Sequence, residues 1–328
     1  RLRETFQFCE SALAKVNDSR LEEKISYFGD EASRGQVMVA AAEEWAGHNP
    51  MFGTRGVRLG VTICEDAWND SDFWPKRLYH RDPVLELVEQ GADLLINLSS
   101  SPFDVRKAAV RRDMIRQNAV KHRRYFFYVN QVGGNDELIF DGHSIGIAPG
   151  GSQVVRAREF EEDFVVYDVP AQDTARPPAV LRPVSGSDEE SAYGALVLGL
   201  RDYTRKCGFK KVVLGLSGGI DSAVTACLAA AALGPENVLG VLMPGRYSST
   251  HSVEDATELA ANLGIEHRLI PIDTIFQSYL EALAPAVPAC SEAARDMTEQ
   301  NLQARARGAV LMAVSNSSGA IVLSTRNK

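Results

Sequence analysis

The stretch KVVLGLSGGIDSAVTACLAAAAL, residues 211–233, constrains the fold more than any other part of the chain. An apolar strand runs into a glycine pair and then directly into an alanine-rich helix, which is the opening half of a βαβ unit. The turn itself suggests a ligand. Gly218 and Gly219 let backbone approach an anion closely, and the helix start offers unpaired N–H groups with a partial positive charge. Asp221 adds a carboxylate of the kind that holds the Mg²⁺ accompanying a polyphosphate. No Gly-Lys-Ser/Thr follows, so the loop is not a Walker A, and its glycines are not spaced as GxGxxG. On geometry alone, a glycine turn capped by Asp or Ser at a helix start accounts for the same residues.

Around this unit the chain repeats its logic. The apolar runs NVLGVLMP, HRLIPI and GAIVLST alternate with helical segments starting near Asp221, Ser252, Thr274 and Met297, so the second half should hold a parallel sheet covered by helices. Upstream, the β-rich runs GVRLGVTI, ADLLINLS, RRYFFYVNQV, HSIGIA and FVVYDV are separated by helical or turn-rich stretches. Between the halves, Gln172 to Ser187 is proline-rich and reads as a linker. Ser187 and Glu190 form a capping-box pattern ahead of a helix whose apolar face should include Tyr193, Leu196, Leu200 and Tyr203. Ser11 to Lys24 and Val37 to Trp45 are helical in pattern but carry no motif.

Bulk properties narrow the class. A chain of 328 residues with 45% apolar and 24% charged residues has the length of about two globular domains. A net charge of −8, with the acids dispersed, gives little general support for a surface that tracks nucleic acid. Cys9, Cys64, Cys207, Cys227 and Cys290 show neither zinc nor disulfide spacing, which fits free thiols in a reducing, cytoplasmic setting. No run is long enough to span a membrane, and the polar start RLRETFQFCE is no signal peptide. The lack of an initiator Met and the end at Asn327-Lys328 suggest a fragment.

The hexapeptide SGGIDS resembles the PP-loop of the N-type ATP pyrophosphatases, which cleave ATP between the α and β phosphates. Met243 to Ile265 (MPGRYSSTHSVEDATELAANLGI), Thr298 to Gly308 (TEQNLQARARG) and the closing VLSTRNK are similar to the NAD⁺ synthetase pattern within that family. The resemblance implies that Gly215, Leu216, Ser217, Gly218, Gly219, Ile220, Asp221 and Ser222 bind ATP, with Asp221 also on Mg²⁺. It further implies that Thr325 contacts ATP and that Asn301 and Arg305 contact deamido-NAD⁺. An arginine suits that role, because its planar fork binds phosphate or carboxylate at two points. Without the family, Arg305 and Arg307 read as a solvated helix face. Arg326 stands where the family has glycine, and the family's following Ser-Glu is absent.

A second site is indicated at GVRLGVTICEDAW. Cys64 leaves an alternating strand beside Glu65 and Asp66, where a thiol is placed either to attack an amide carbonyl or to pack as a structural cysteine. ICEDAW, LINLSSSPF at Leu95 to Phe103 and YVNQVGGNDELIFDGHS at Tyr128 to Ser144 resemble the nitrilase-type glutaminase domain of glutamine-dependent NAD⁺ synthetases. The resemblance makes Cys64 the nucleophile that forms a thioester with glutamine, and Ser101 and Lys107 glutamine-binding residues. Otherwise Ser101 reads as a turn residue before Pro102 and Lys107 as a surface lysine. Arg106 occupies a position that is usually glycine. The general-base Glu and the Lys of such a site are not recognisable in residues 1–55. Glu22, Glu23, Glu43 and Glu44 read as a charged helix face.

The fold class expected is therefore α/β: a partial nitrilase-like α-β-β-α sandwich, then a partial parallel-sheet adenine nucleotide hydrolase-like (PP-loop) domain. The expected boundaries are 1–55 unassigned, 56–171 glutaminase, 172–187 linker and 188–328 synthetase. The family implies small-molecule partners (deamido-NAD⁺, glutamine and ATP), with Mg²⁺, ammonia passing between the domains, and a homo-oligomer. No nucleic acid or membrane partner is expected. Other readings are a different SGGIDS amidotransferase, a stand-alone carbon–nitrogen hydrolase, or a catalytically incomplete fragment with weak synthesis of its own.

Overall fold

The structure is a computed structural model that describes residues 51–54, 56–74, 81–170, 177–286 and 292–325. The helices expected at Ser11–Lys24 and Val37–Trp45, the carboxylates Glu22, Glu23, Glu43 and Glu44, and Cys9, Cys290 and Arg326 lie outside the described residues. Contacts group the chain into two units. One comprises the chain up to Gly133 together with Phe140–Ser191, and the other comprises Gly134–Ile139 and the chain from Ala192 onward.

In the first unit, β1 (Met51–Thr54) runs antiparallel to β2 (Val57–Ile63). Helix α1 (Pro83–Glu89) carries the chain to β3 (Leu94–Ser99), and α2 (Lys107–His122) carries it to β4 (Tyr125–Asn130). β2, β3 and β4 are parallel neighbours, and a parallel step needs such a crossover. A hairpin of β5 (Val132–Asn135) and β6 (Leu138–Asp141) follows, of which Gly134–Ile139 belong to the second unit. Then β7 (Ile145–Ile147), β8 (Gln153–Arg156) and β9 (Val180–Leu181) complete a sheet of order β1-β2-β3-β4-β7-β8-β9.

Period-two alternation divides this sheet into two faces. Leu95, Phe126, Tyr128, Ile145 and Ile147 pack against Val84 and Leu87 of α1 and Met114, Ile115 and Ala119 of α2. The other face presents Tyr125, Val155 and Phe127 to Val165 and Tyr167. The run FVVYDV, expected as a strand, is not one. It keeps the alternation, with Phe164 and Val166 exposed while Val165 and Tyr167 pack inward, but it has no ladder partner among the described residues. The proline-rich stretch contributes more than a tether: Val180 and Leu181 pair in parallel with Val155 and Arg156.

Ser185, in the same stretch, donates its N–H and hydroxyl to Glu159 Oε2 at 2.7 and 2.8 Å, and His143 Nδ1 lies 3.0 Å from the other carboxylate oxygen. Burial alone would push the Glu159 carboxyl up. The hydrogen bonds from His143 and Ser185, with the His143 charge, outweigh it and hold the group down at about 2.

The second unit is built on four parallel strands. Helix α3 (Asp188–Lys206) leads to β10 (Val212–Leu216), α4 (Ile220–Leu233) to β11 (Val238–Leu242), and α5 (Thr250–Leu263) to β12 (Glu266–Leu269). Helices α6 (Asp273–Leu283) and α7 (Glu292–Ser318) precede β13 (Ile321–Leu323), giving the sheet order β12-β11-β10-β13. All four strand runs read from the sequence are present with helices between them, although α7 starts at Glu292 rather than near Met297 because EAARD extends it N-terminally.

Helix α3 starts where the sequence reading put it, since Ser187 Oγ accepts from Glu190 N–H at 3.2 Å. The Glu190 carboxylate, however, turns to the N–H of Gly186 at 2.5 Å rather than to that of the cap residue. Its buried face also differs from the one expected. Ala195, Leu198, Asp202 and Thr204 face inward; of the four residues expected there, Leu200 packs against the core while Tyr193, Leu196 and Tyr203 are exposed. Asp202 is drawn in because its carboxylate accepts the N–H of Gly134 at 2.9 Å, and Gly134 lies so close to the helix that a Cβ there would stand 3.1 Å from Cα of Gly199. A backbone donor that needs an acceptor thus overrides the apolar period.

Candidate functional sites

Cys64 closes β2 at the carboxyl edge of the three parallel strands, the edge at which open α/β sheets bind ligands. It is half-buried and its backbone is left-handed, with φ +48°. A non-glycine residue is strained there, and such strain persists only where neighbours hold it. Two do so. Asn97 of β3 donates from Nδ2 to the carbonyl of Cys64 at 3.2 Å and to Thr62 Oγ1 at 3.0 Å. Asp66, one residue beyond Glu65, accepts the N–H of Ile63 at 2.8 Å. The turn Cys64–Trp68 ends under Lys107, whose Nζ lies 5.9 Å from the Trp68 ring centroid.

Ser101, just past β3, is buried. Its N–H is accepted by Asn130 Oδ1 at 2.8 Å, and its carbonyl receives Asn130 Nδ2 at 3.3 Å and Arg111 Nη1 at 3.5 Å. Asn130 Nδ2 also reaches Asp141 Oδ1 at 3.2 Å, and Asp141 pairs with Arg111, both side chains being 3% exposed. Beside them Tyr128 gives its hydroxyl to Ser99 Oγ at 2.9 Å, and burial raises its pKa. The Ser101 hydroxyl is buried beside that of Tyr128, whose pKa it helps to hold down, without a hydrogen bond of ordinary geometry. The structure thus brings Cys64, Ser101 and Lys107 to one strand edge. Asn97, Asn130, Arg111 and Asp141 were missed by sequence reasoning. Their only sequence signal is a polar residue inside or beside an apolar run.

Arg106, in the usual glycine position, adopts φ +72°, a glycine conformation. The loop therefore carries backbone strain at this residue. The side chain turns outward to Asp188, 2.7 Å away.

In the second unit, Gly215 and Leu216 end β10, and Ser217, Gly218 and Gly219 turn the chain into α4. Gly218 has φ +78°, and a Cβ on it would stand 2.7 Å from Cα of Ser252 in α5. Only glycine fits between the loop and that helix. Ser217 Oγ accepts the N–H of Gly219 at 3.2 Å, and the buried Ser222 hydroxyl donates to the carbonyl of Gly219 at 2.9 Å. The loop is thereby braced from within, while no side chain caps the first N–H groups of α4. Ile220 and Asp221 stand exposed at its mouth.

Thr325 follows β13, which pairs with β10 through Leu214↔Leu323, so Thr325 lies on the carboxyl edge that carries the loop. Arg305 donates from Nη1 to the carbonyl and Oδ1 of Asn301 at 3.2 and 3.3 Å, joining the two expected ligand residues on one exposed stripe of α7. Arg307 is not simply solvated. Its Nε donates to the carbonyl of Met243, at the end of β11, at 3.2 Å, and burial lowers its pKa. Among the described residues no cluster of three His, Cys, Asp or Glu could hold a metal ion, and no helix is long and apolar enough to cross a membrane.

The carbon-nitrogen hydrolase family matches residues 14–178, reaching back into the segment without recognisable motifs, and the NAD synthase family matches residues 192–328. The chain is 45% identical over 285 residues to a glutamine-dependent NAD(+) synthetase of Synechocystis sp., covering 86% of this chain and 50% of that protein. It is 42% identical over 304 residues to one of Thermotoga maritima, covering 83% and 50%. Its fold is similar to that of a glutamine-dependent NAD+ synthetase of Acinetobacter baumannii solved with adenosine diphosphate, with TM-score 0.75 and 38% identity over 85% of this chain and 50% of that one. The chain thus spans about half the length of the curated relatives it matches. With half of its residues in the first match, the chain belongs to the carbon-nitrogen hydrolase family and joins to it an NAD synthase region, a pairing it shares with glutamine-dependent NAD⁺ synthetases.

Proposed function

We propose that this sequence belongs to an enzyme that amidates deamido-NAD⁺ to NAD⁺ with ATP and ammonia drawn from glutamine. One observation carries the reading: a strained cysteine at the edge of one parallel sheet and a braced glycine loop at the edge of another occur in a single polypeptide. An amide-cleaving thiol and a phosphate-binding loop are the two halves of a glutamine-dependent ligation.

In the first half, the Cys64 sulfur attacks the side-chain amide carbon of glutamine, ammonia leaves, and water hydrolyses the thioester to glutamate. Asn97 fixes the carbonyl of Cys64 and so the turn that carries the sulfur. Ser101 and Lys107 are assigned to the glutamine, a buried hydroxyl and an ammonium near the turn.

In the second half, the nicotinate carboxylate attacks the α-phosphorus of ATP and pyrophosphate leaves. Ammonia then adds to the acyl carbon of the adenylate, and AMP departs. The N–H groups of Gly218, Gly219 and the start of α4 are suited to the phosphates. The adenosine diphosphate in the Acinetobacter baumannii relative supports nucleotide binding here. Thr325 shares the strand edge with the loop, and Asn301 and Arg305 are assigned to deamido-NAD⁺.

Asp221 fits a Mg²⁺ ligand. It is an exposed carboxylate in the first turn of α4, and Mg²⁺ is commonly held by one or two carboxylates plus substrate phosphates and water. When bound, the ion would offset charge on the departing pyrophosphate. Free thiols at Cys64, Cys207 and Cys227 are consistent with a reducing, cytoplasmic setting.

The test is NAD⁺ formation from deamido-NAD⁺, ATP and Mg²⁺ with glutamine or ammonium as donor. Cys64→Ala should remove glutamine-dependent synthesis and keep the ammonium reaction, whereas Asp221→Ala should remove both. Loss of the ammonium reaction in Cys64→Ala, or no synthesis from either donor before mutation, would overturn the two-site reading for this chain.

A further inference from the structure

Lys107 and Arg111 are four residues apart on α2 and so share a helix face, which looks toward the strand edge bearing Cys64 and Ser101. Arg111 and Asp141 are both withdrawn from water, a costly arrangement that needs well-made hydrogen bonds around it. Its neighbour is the amide of Asn130. A carboxylate only accepts hydrogen bonds, so Asp141 forces the nitrogen end of that amide toward itself and the oxygen end toward the N–H of Ser101. The amide can then grip Ser101 in one orientation only, by its N–H and its carbonyl together.

We infer that Asn130, oriented by the Arg111–Asp141 pair, is a positioning residue for Ser101, and so governs how tightly the first site holds a glutamine side chain rather than how reactive Cys64 is. The inference rests on the glutaminase reading above. The separation of roles follows from the bonding. Asn97 holds Cys64, Asn130 holds Ser101, and no hydrogen bond joins Asn130 to the turn Cys64–Trp68 among the described residues. The Ser101 hydroxyl, which lies beside that of Tyr128, takes no part in the contacts with Asn130.

The experiment follows alkylation of Cys64 by 6-diazo-5-oxo-L-norleucine, a glutamine analogue whose diazoketone captures a thiol with loss of N₂. Peptide mass mapping reports the site, and iodoacetamide gives the intrinsic rate of the same thiol. Asn130→Ala should raise the analogue concentration for half-maximal rate about tenfold, the effect of one good hydrogen bond. The maximal rate and the iodoacetamide rate should stay within about twofold, since only binding is altered. In a Ser101→Ala background, Asn130→Ala should add nothing further.

An unchanged half-maximal concentration, an additive effect in the Ser101→Ala background, or a parallel fall in the iodoacetamide rate would each overturn the positioning role. If Asn130→Ala does not fold, Asn130→Ser, too short to reach both Ser101 groups, is read in the same way. Failure of both to fold would overturn the proposal in favour of a purely structural network. If the unmodified chain is not labelled at Cys64 by the analogue, the glutaminase reading fails; if it is labelled and the variants match it, only the positioning role fails.

Discussion

The two sites reach similar places, the carboxyl edge of a parallel sheet, by different constructions. The loop after β10 is contiguous: Ser217 to Ser222 bond to one another, and the binding groups are backbone N–H groups that need only the right turn. The cysteine site is dispersed over residues 62–141, and four separate elements must meet before Ser101 is fixed. A site made of backbone depends on local conformation, whereas a site made of side-chain networks depends on the packing of the whole unit.

The strongest test of that contrast is Arg111→Met. Removing one partner of a buried ion pair strands the other, a loss of about 3–5 kcal/mol. Trp68 and Trp74 lie in the first unit and no tryptophan follows Trp74 in the sequence, so tryptophan fluorescence during urea unfolding follows the first unit. Its midpoint should fall while hydrogen exchange in β10 and β11 stays as it was. Equal loss of protection in those strands would break the comparison.

Acid should discriminate next. The Glu159 pKa is depressed, so its contribution is full above the ordinary carboxylate pKa of 4.5 and is lost as pH falls toward about 2. Glu159→Gln should therefore flatten the acid-side decline of the fluorescence-detected stability by about 2 kcal/mol, an amount discounted for partial solvent access. An unchanged pH profile would mean that the Ser185 contacts do not hold the stretch.

Gly218→Ala should cost about 1–2 kcal/mol from the left-handed backbone alone, with a further loss from the clash at Ser252. Nucleotide binding by titration calorimetry should be lost, and the tryptophan transition should not move. The smallest effect expected is from Arg106→Gly. Relief of φ +72° is partly cancelled by loss of an exposed ion pair, leaving a gain under about 1 kcal/mol in the fluorescence midpoint.

How much was legible follows the same division. The run KVVLGLSGGIDS announced strand, turn and helix because each feature depends on neighbours within a few residues. Cys64 was legible as the exit of an alternating strand, but its left-handed backbone was not, since that conformation is maintained by Asn97 from the next strand. The inward face of α3 was misread because Asp202 answers a backbone N–H, that of Gly134, which sequence periodicity does not register. FVVYDV has the period of a strand, yet pairing is a property of two segments and the second is not there among the described residues.

The succession of βαβ units, the glycine loop that turns β10 into α4 and the cysteine at a strand end are all written in the order of the residues. These are set by short-range sterics and by apolar period. The convergence of Asn130, Arg111 and Asp141 on Ser101, and the glycine conformation of Arg106, come instead from packing in the folded unit. Buried polar groups must find partners wherever packing brings them, and which groups those are is fixed by the strand order rather than by distance along the chain.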